Sequence, residues 1–227
     1  MTPTVERRSG AAGDLHALEV TAADAGSIWW LDASAPALVL GSRQPQTTVD
    51  LGRAAARGVE VVRRRSGGGA VYVASDALTW IDVVIGPDDP RWCDDVNRSF
   101  DWLGAAWVDA LDALGLCGGR AHAGAMVRSP WSSLVCFGGL GPGEVTFDGR
   151  KLVGIAQRRT RDAARFQCAA LHRWDPTEVT DLLAIDAVDR DRASTELRRV
   201  AVGLEELGAA ALAGEAMVGA LAAAIAR

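Results

Sequence analysis

GEVTFDGRKLVGIAQ (residues 143–157) carries the clearest hairpin signal in the chain. Asp148-Gly149 suits a type I′ turn, whose two central residues both need positive φ, and it joins Glu144–Phe147 to Arg150–Val153. In a strand that begins at Lys151, alternation predicts Lys151, Val153, Ile155 and Gln157 on one face and Gly154 on the other, where it permits close packing.

Outward from this hairpin, strands are expected at His16–Val20, Ser27–Leu31 and Ala37–Leu40, with Ala33–Pro36 as the turn between the last two. A short helix over Asp50–Arg57 follows, with a capping start at Val49-Asp50 and Gly58 as its stop. Val61-Val62, Ala70–Val73 and Leu78–Ile85 read as further strands, the last fully apolar as in a sheet covered on at least one face. From Asp94 to Leu114, Val96, Phe100, Leu103, Trp107, Leu111 and Leu114 recur at helical spacing. A strand at Arg165–Leu171, a helix starting at Asp175-Pro176 and two helices from about Ala193 complete the pattern. The expected fold class is α+β (α/β-type), a mixed central sheet flanked by helices. Residues 1–14 read as a disordered lead-in and 15–227 as a single domain.

Composition narrows the function. With 24 basic against 29 acidic residues and net charge −5, a broad cationic surface for DNA or RNA is disfavoured. No stretch approaches the roughly 20 apolar residues of a membrane span, and the polar start lacks a signal-peptide core, so a soluble cytoplasmic protein is expected. Cys93, Cys117, Cys136 and Cys168 form no CxxC pair, which argues against a disulfide framework. His122 and His172 have no ligands at useful spacing, so no metal site is expected.

Of the 24 basic residues, only Lys151 is lysine. Arginine supplies surface charge equally well, but not a compact ammonium with three rotatable donors, so the one lysine retained is a candidate for chemistry. The second candidate is Arg63-Arg64-Arg65-Ser66-Gly67-Gly68-Gly69-Ala70-Val71-Tyr72. Consecutive glycines let backbone N–H groups converge on an anion, and arginines add bidentate donors for a carboxylate or phosphate. No Gly-Lys-Ser/Thr follows, so this is not a Walker loop. With the lysine face opposite, the pair could hold the carbonyl end of an apolar acyl chain.

Arg64–Tyr72 and Gly149–Arg159, in that order and about eighty residues apart, together resemble the lipoate-protein ligase, octanoyltransferase and biotin-protein ligase superfamily. Leu40-Gly41-Ser42-Arg43-Gln44 is similar to that family's early Gly-Arg-x-Gln signal. The resemblance spans roughly residues 15–185 and implies an acyl tunnel and transfer of a lipoyl or octanoyl group to a lysine of a lipoyl-domain or glycine-cleavage carrier protein. It implies Lys151 as the active-site lysine. It also implies acyl or acyl-adenylate contacts from Arg43, Arg64, Arg65, Ser66, Gly67, Gly68, Gly69, Ala70, Val153, Gly154, Ile155, Ala156 and Gln157.

Two catalytic schemes follow from the resemblance. In the ligase branch, which leads slightly, ATP with Mg²⁺ and lipoic acid give lipoyl-AMP, and Lys151 holds the carboxylate and α-phosphate oxygens. In the octanoyltransferase branch, Cys136 of Leu134-Val135-Cys136-Phe137 takes the acyl group from an acyl carrier protein thioester, with no cofactor. A non-catalytic acyl- or lipoyl-domain-binding protein is the third reading. Val73-Ala74 stands where ligases have His-Asp, Trp131–Leu134 where they have Asn-Asp, and the ligase accessory C-terminal domain has no counterpart in the roughly 70 residues after the hairpin. A cysteine among Leu134, Val135 and Phe137 is also, more often than not, a small buried hydrophobe. Trp131 and Trp174 are placed in loops, where they would pack or cap a pocket.

Overall fold

The computed structural model describes residues 3–227. Its elements in chain order are β1 (Thr4–Gly10), α1 (Ala12–Ala17), β2 (Ser27–Ala33), β3 (Ala37–Leu40), α2 (Leu51–Ala56), β4 (Glu60–Arg63), β5 (Val71–Val73), β6 (Leu78–Ile85) and α3 (Asp101–Ala113). There follow β7 (Arg120–Ala121), β8 (Val145–Phe147), β9 (Arg150–Arg159), β10 (Ala164–Leu171), α4 (Thr177–Thr180), α5 (Ala187–Leu197) and α6 (Glu215–Ala226). Among the described residues no helix is long and apolar enough to cross a membrane.

Two sheets form, as the expected mixed architecture requires. The larger runs β1-β2-β6-β10-β9-β8-β7, with β1 and β2 parallel and the other neighbours antiparallel; the smaller runs β4-β3-β5. β6 is buried along its whole length, which explains its unbroken apolar pattern. On one face of the large sheet, Ile81, Val83, Phe166, Val153 and Ile155 join Leu103, Trp107 and Leu111 of α3 and Leu221 of α6 in the main core. Over the other face lies the small sheet. Val39, Val71 and Val73 point toward the large sheet, while Leu38 and Leu40 pack outward against Ala54, Leu182, Leu183 and Leu197.

Local signals held where they were strong. Asp50 caps α2 by accepting from Arg53 N, and Gly58 ends it at φ +64°. Asp148 and Gly149 have φ of 49° and 76°, both positive as the type I′ turn demands.

Four expectations are corrected. The lead-in is not disordered: Thr4–Gly10 is an edge strand, with Arg7 and Arg8 over the rings of Trp30 and Trp29 at 4.3 and 4.0 Å. Its polar sequence hid it, because backbone pairing and cation–π contacts leave no apolar alternation. His16–Val20 is no strand; His16 lies in α1. The long helix starts at Asp101, because the Asp95 carboxylate accepts from the N–H groups of Asn97 and Arg98 and turns the chain there. The penultimate helix starts at Ala187, capped by Asp186, and its charged first half carries no apolar stripe.

The correction that matters most concerns β9. Val145 pairs with Val153 but Thr146 with Lys151, so Leu152 is an extra residue in a β-bulge. The far edge of Lys151 is bonded to a separate segment, its N–H to Val200 O at 2.9 Å and its O to Val202 N at 3.0 Å. Alternation therefore changes phase at Leu152. Lys151 shares the pocket face with Gly154 and Ala156, while Val153, Ile155 and Gln157 point toward α3, where Ser99 Oγ donates to Gln157 Oε1.

Candidate active site

The glycine-rich loop is built from its own arginine. Arg64 is buried and donates to the carbonyls of Val39, Gly67 and Gly69 at 2.7–3.2 Å, so its guanidinium holds the loop's shape rather than waiting for an anion. Arg65 is exposed and pairs with Glu19, Arg63 donates to Gln44 O, and Arg43 is exposed beyond β3. Ser66 Oγ donates to Gln167 Oε1 at 2.8 Å. The exit of the loop pairs with a distant segment: Ala70 N donates to Leu134 O at 2.8 Å and Cys136 N to Ala70 O at 3.0 Å. Gly69 is required here, since a Cβ would lie 2.7 Å from Cys136 N and 2.6 Å from the Val135 carbonyl carbon.

This pairing brings Cys136 under the loop. Its Sγ is 3.7 Å from where a Gly68 Cβ would stand. Gln44, the end of the early motif, fixes the same segment: its Nε2 donates to Ser133 O and Leu134 O at 3.0 and 3.1 Å, and its Oε1 accepts from Gly41 N at 2.9 Å.

Lys151 lies beside Cys136 but is sealed. It is 2% exposed, and its Nζ reaches Glu144 Oε2 at 2.7 Å and donates to the carbonyls of Cys136 and Gly139 at 3.1 Å each. All three ammonium donors are thereby engaged. Phe137 lies 4.8 Å from Nζ, and Gly154 leaves the space that the lysine stem fills: a Cβ there would be 3.1 Å from Cε. Glu144 is equally committed, accepting also from Gly141 N at 2.6 Å and Ile155 N at 3.1 Å. Such full bonding offsets the cost of burying the two charges.

Between the sheets is an apolar cavity of about 50 Å³. Its walls include Val39, Val71, Val73, Leu78, Trp80 and Ala169, with Cys136, Phe137, Arg64, Gly154 and Ala156 at one side. His16 also lines it, its ring 4.3 Å from that of Trp80 and its Nδ1 3.1 Å from Gln167 Nε2. Burial, and then the neighbouring charges of Arg64 and Arg165, lower the His16 pKa to about 3, so the ring is neutral. The bond from Ser66 leaves the Gln167 amide to donate to Nδ1, which puts the ring proton on Nε2.

Of the residues singled out in the sequence, the cavity thus gathers Cys136, Arg64, Gly154, Ile155 and Ala156, with Gly68, Gly69 and Lys151 adjoining. Val153 and Gln157 lie on the α3 side of the sheet, and Arg43, Arg63 and Arg65 face outward. Cys168 directs its thiol to Trp107 on that same side, and burial raises its pKa. Trp174 packs on Phe137 at 5.5 Å, and Trp131 is buried with Nε1 donating to Glu196 at 2.6 Å. Sequence reading missed Glu144, His16, Gln167 and Trp80. Glu144 was accessible: across the Asp148-Gly149 turn it is the diagonal neighbour of Lys151 on one face.

Two sheets closing on an apolar slot, with a thiol and a buried lysine at one end, define an acyl-handling domain of the lipoate ligase type. The model of the lipoyl protein ligase A/B catalytic domain matches residues 14–226, and the chain belongs to that family. It is 32% identical over 181 residues to octanoyltransferase LipM of Kyrpidia tusciae, covering 77% of this chain and 64% of that protein. To octanoyltransferase LipM of Clostridioides difficile it is 28% identical over 111 residues, covering 49% and 40%. The chain spans less than two thirds of the length of either relative. In fold it is similar to the bi-partite lipoate protein ligase of Thermoplasma acidophilum, with TM-score 0.72, 18% identity, and coverage of 100% of this chain and 83% of that one. A lipoate-protein ligase A bound with ATP superimposes with TM-score 0.69 at 19% identity, over 100% and 86% of the two chains.

Proposed function

We propose that this chain is a cysteine-dependent acyltransferase that moves an octanoyl group from an acyl carrier protein thioester to a lysine of a lipoyl-domain or glycine-cleavage carrier protein. The observation that carries the reading is the position of the Cys136 thiol, on the wall of the apolar cavity and under the glycine-rich loop. Similarity to two octanoyltransferases supports it.

In this reading the Cys136 sulfur attacks the thioester carbonyl, and the carrier's sulfur departs with the proton that Cys136 gave up. The acceptor's ε-amine then attacks the acyl-Cys136 carbonyl, forming the amide and returning a proton to the Cys136 sulfur. Lys151 is a positioning residue. Its ammonium is neutralised by Glu144 and grips the carbonyls of Cys136 and Gly139, so it fixes the turn that presents the thiol. Adenylation would instead ask Lys151 to hold carboxylate and phosphate oxygens, for which its three engaged donors leave no free valence. Mg²⁺ and ATP therefore enter no step.

Intact mass spectrometry tests the reading. With octanoyl carrier protein alone, the wild-type protein should gain one octanoyl mass on Cys136 and pass it to the acceptor domain, and Cys136→Ser should do neither. Modification of the acceptor only in the presence of free acid, ATP and Mg²⁺, unimpaired by Cys136→Ser, would overturn it in favour of the ligase.

A further inference from the structure

The apolar cavity stops one side chain short of another. The second cavity, of about 130 Å³, is bordered by Asp32, Thr79 and His172, and three residues, Val73, Leu78 and Trp80, line both. Its origin is in the strand pairing. β2 and β6 are paired only over Ile28–Leu31 and Trp80–Val83, so beyond Leu31↔Trp80 the strands part, and Asp32 and Ala33 on one side face Leu78 and Thr79 on the other across the gap.

Trp80 occupies that last pair and is braced on two sides. Its indole N–H donates to Asp82 Oδ1 at 2.8 Å, and Asp82 is held in turn by Arg165 Nε at 2.5 Å. His16 covers its ring at 4.3 Å and is tied through Gln167 to Ser66 of the glycine-rich loop. Gly154, Ala169 and Trp80 stand in one register row across β9, β10 and β6. The distance from the lysine–thiol end to Trp80 is therefore two interstrand spacings, about 10 Å. That accommodates a medium-length acyl chain and no long one.

We propose that Trp80, braced by His16, is the chain-length stop of the acyl pocket, and that the cavity behind it is space which a longer chain would occupy if the indole were removed. The proposal rests on the acyl-transfer reading for its biological meaning, but its test reads the pocket directly.

The experiment is equilibrium binding of saturated fatty acids from hexanoic to tetradecanoic acid, measured by displacement of a fluorescent fatty acid from the purified protein. In the wild type, affinity should rise about fourfold per added methylene up to octanoic acid and then stop rising. Trp80→Val should extend the rise by several carbons. Ala169→Leu, which fills the floor opposite Trp80 and opens no cavity, should move the maximum to a shorter acid. A maximum unmoved in the folded Trp80→Val protein overturns the proposal; should that variant not fold, an unmoved maximum in Ala169→Leu does so. A length profile as expected, together with no octanoyl transfer, retains the stop and refutes the transferase reading. Octanoyl transfer with a flat length profile does the reverse.

Discussion

Replacing Glu144 by alanine should unfold a large part of this protein's stability margin, because the carboxylate serves three partners at once. Lys151 would be left charged at 2% side-chain exposure, beside a position that is itself only 6% exposed. Breaking a buried pair on one side costs about 3–5 kcal/mol. The N–H groups of Gly141 and Ile155 would lose their acceptor as well, each worth about 1–3 kcal/mol if no water replaces it. Against a usual total of about 5–15 kcal/mol, the first term alone is a third or more of the fold's stability. In a domain of this size it corresponds to a fall in Tm of about 6–20 °C. The assay is urea denaturation followed by tryptophan fluorescence, for wild type, Glu144→Ala, Lys151→Met and the double variant. The double variant should recover at least half of the loss, since it no longer carries an unpaired buried charge. A loss below about 1 kcal/mol for Glu144→Ala, or a double variant as unstable as the sum of the singles, would refute the argument that mutual compensation holds this pair.

Two further outcomes follow from the geometry. Gly69→Ala drives a Cβ to within 2.7 Å of backbone atoms of Val135 and Cys136, so it should destabilise by about 1–3 kcal/mol and slow acylation of Cys136 by more than it weakens fatty-acid binding; stopped-flow acylation beside the binding assay separates the two. For His16, burial holds the folded pKa at about 3 while the unfolded value is 6.5, so the unfolded chain takes up the proton first and stability falls as pH drops below 6.5, by at most about 1.4 kcal/mol per unit. Urea midpoints between pH 7.5 and 4.5 should therefore decline less steeply for His16→Gln than for wild type, and equal slopes would remove His16 from the account.

Much of the fold was legible because it is encoded locally. The turn at Asp148-Gly149, the Asp50 cap and the apolar run of β6 each depend on residues within a few positions of one another. β1 and the start of α5 were not legible, since their stability comes from a neighbouring strand or from a cap rather than from an apolar period. In the site, the sequence marked Lys151, the glycine-rich loop and Cys136 as candidates, but it assigned the arginines to a ligand when Arg64 in fact ties its own loop together. His16, Gln167 and Trp80 gave no chemical signal in one dimension. Each reaches the cavity only because β6, β10 and α1 are stacked over it.

By itself, then, the sequence determined the class of fold, the hairpin that carries the lysine and the segments that border the site. The tertiary structure alone decided which way Lys151 points, because the bulge at Leu152 goes with a second pairing, to Val200 and Val202, that no alternation in β9 can reveal. It also decided that the thiol and the glycine-rich loop are neighbours, because Ala70 bonds to Leu134 and Cys136 across a long stretch of chain. Backbone dihedral preferences are set within a few residues, whereas the hydrogen bonds that finish this site join segments whose adjacency exists only once both sheets have closed.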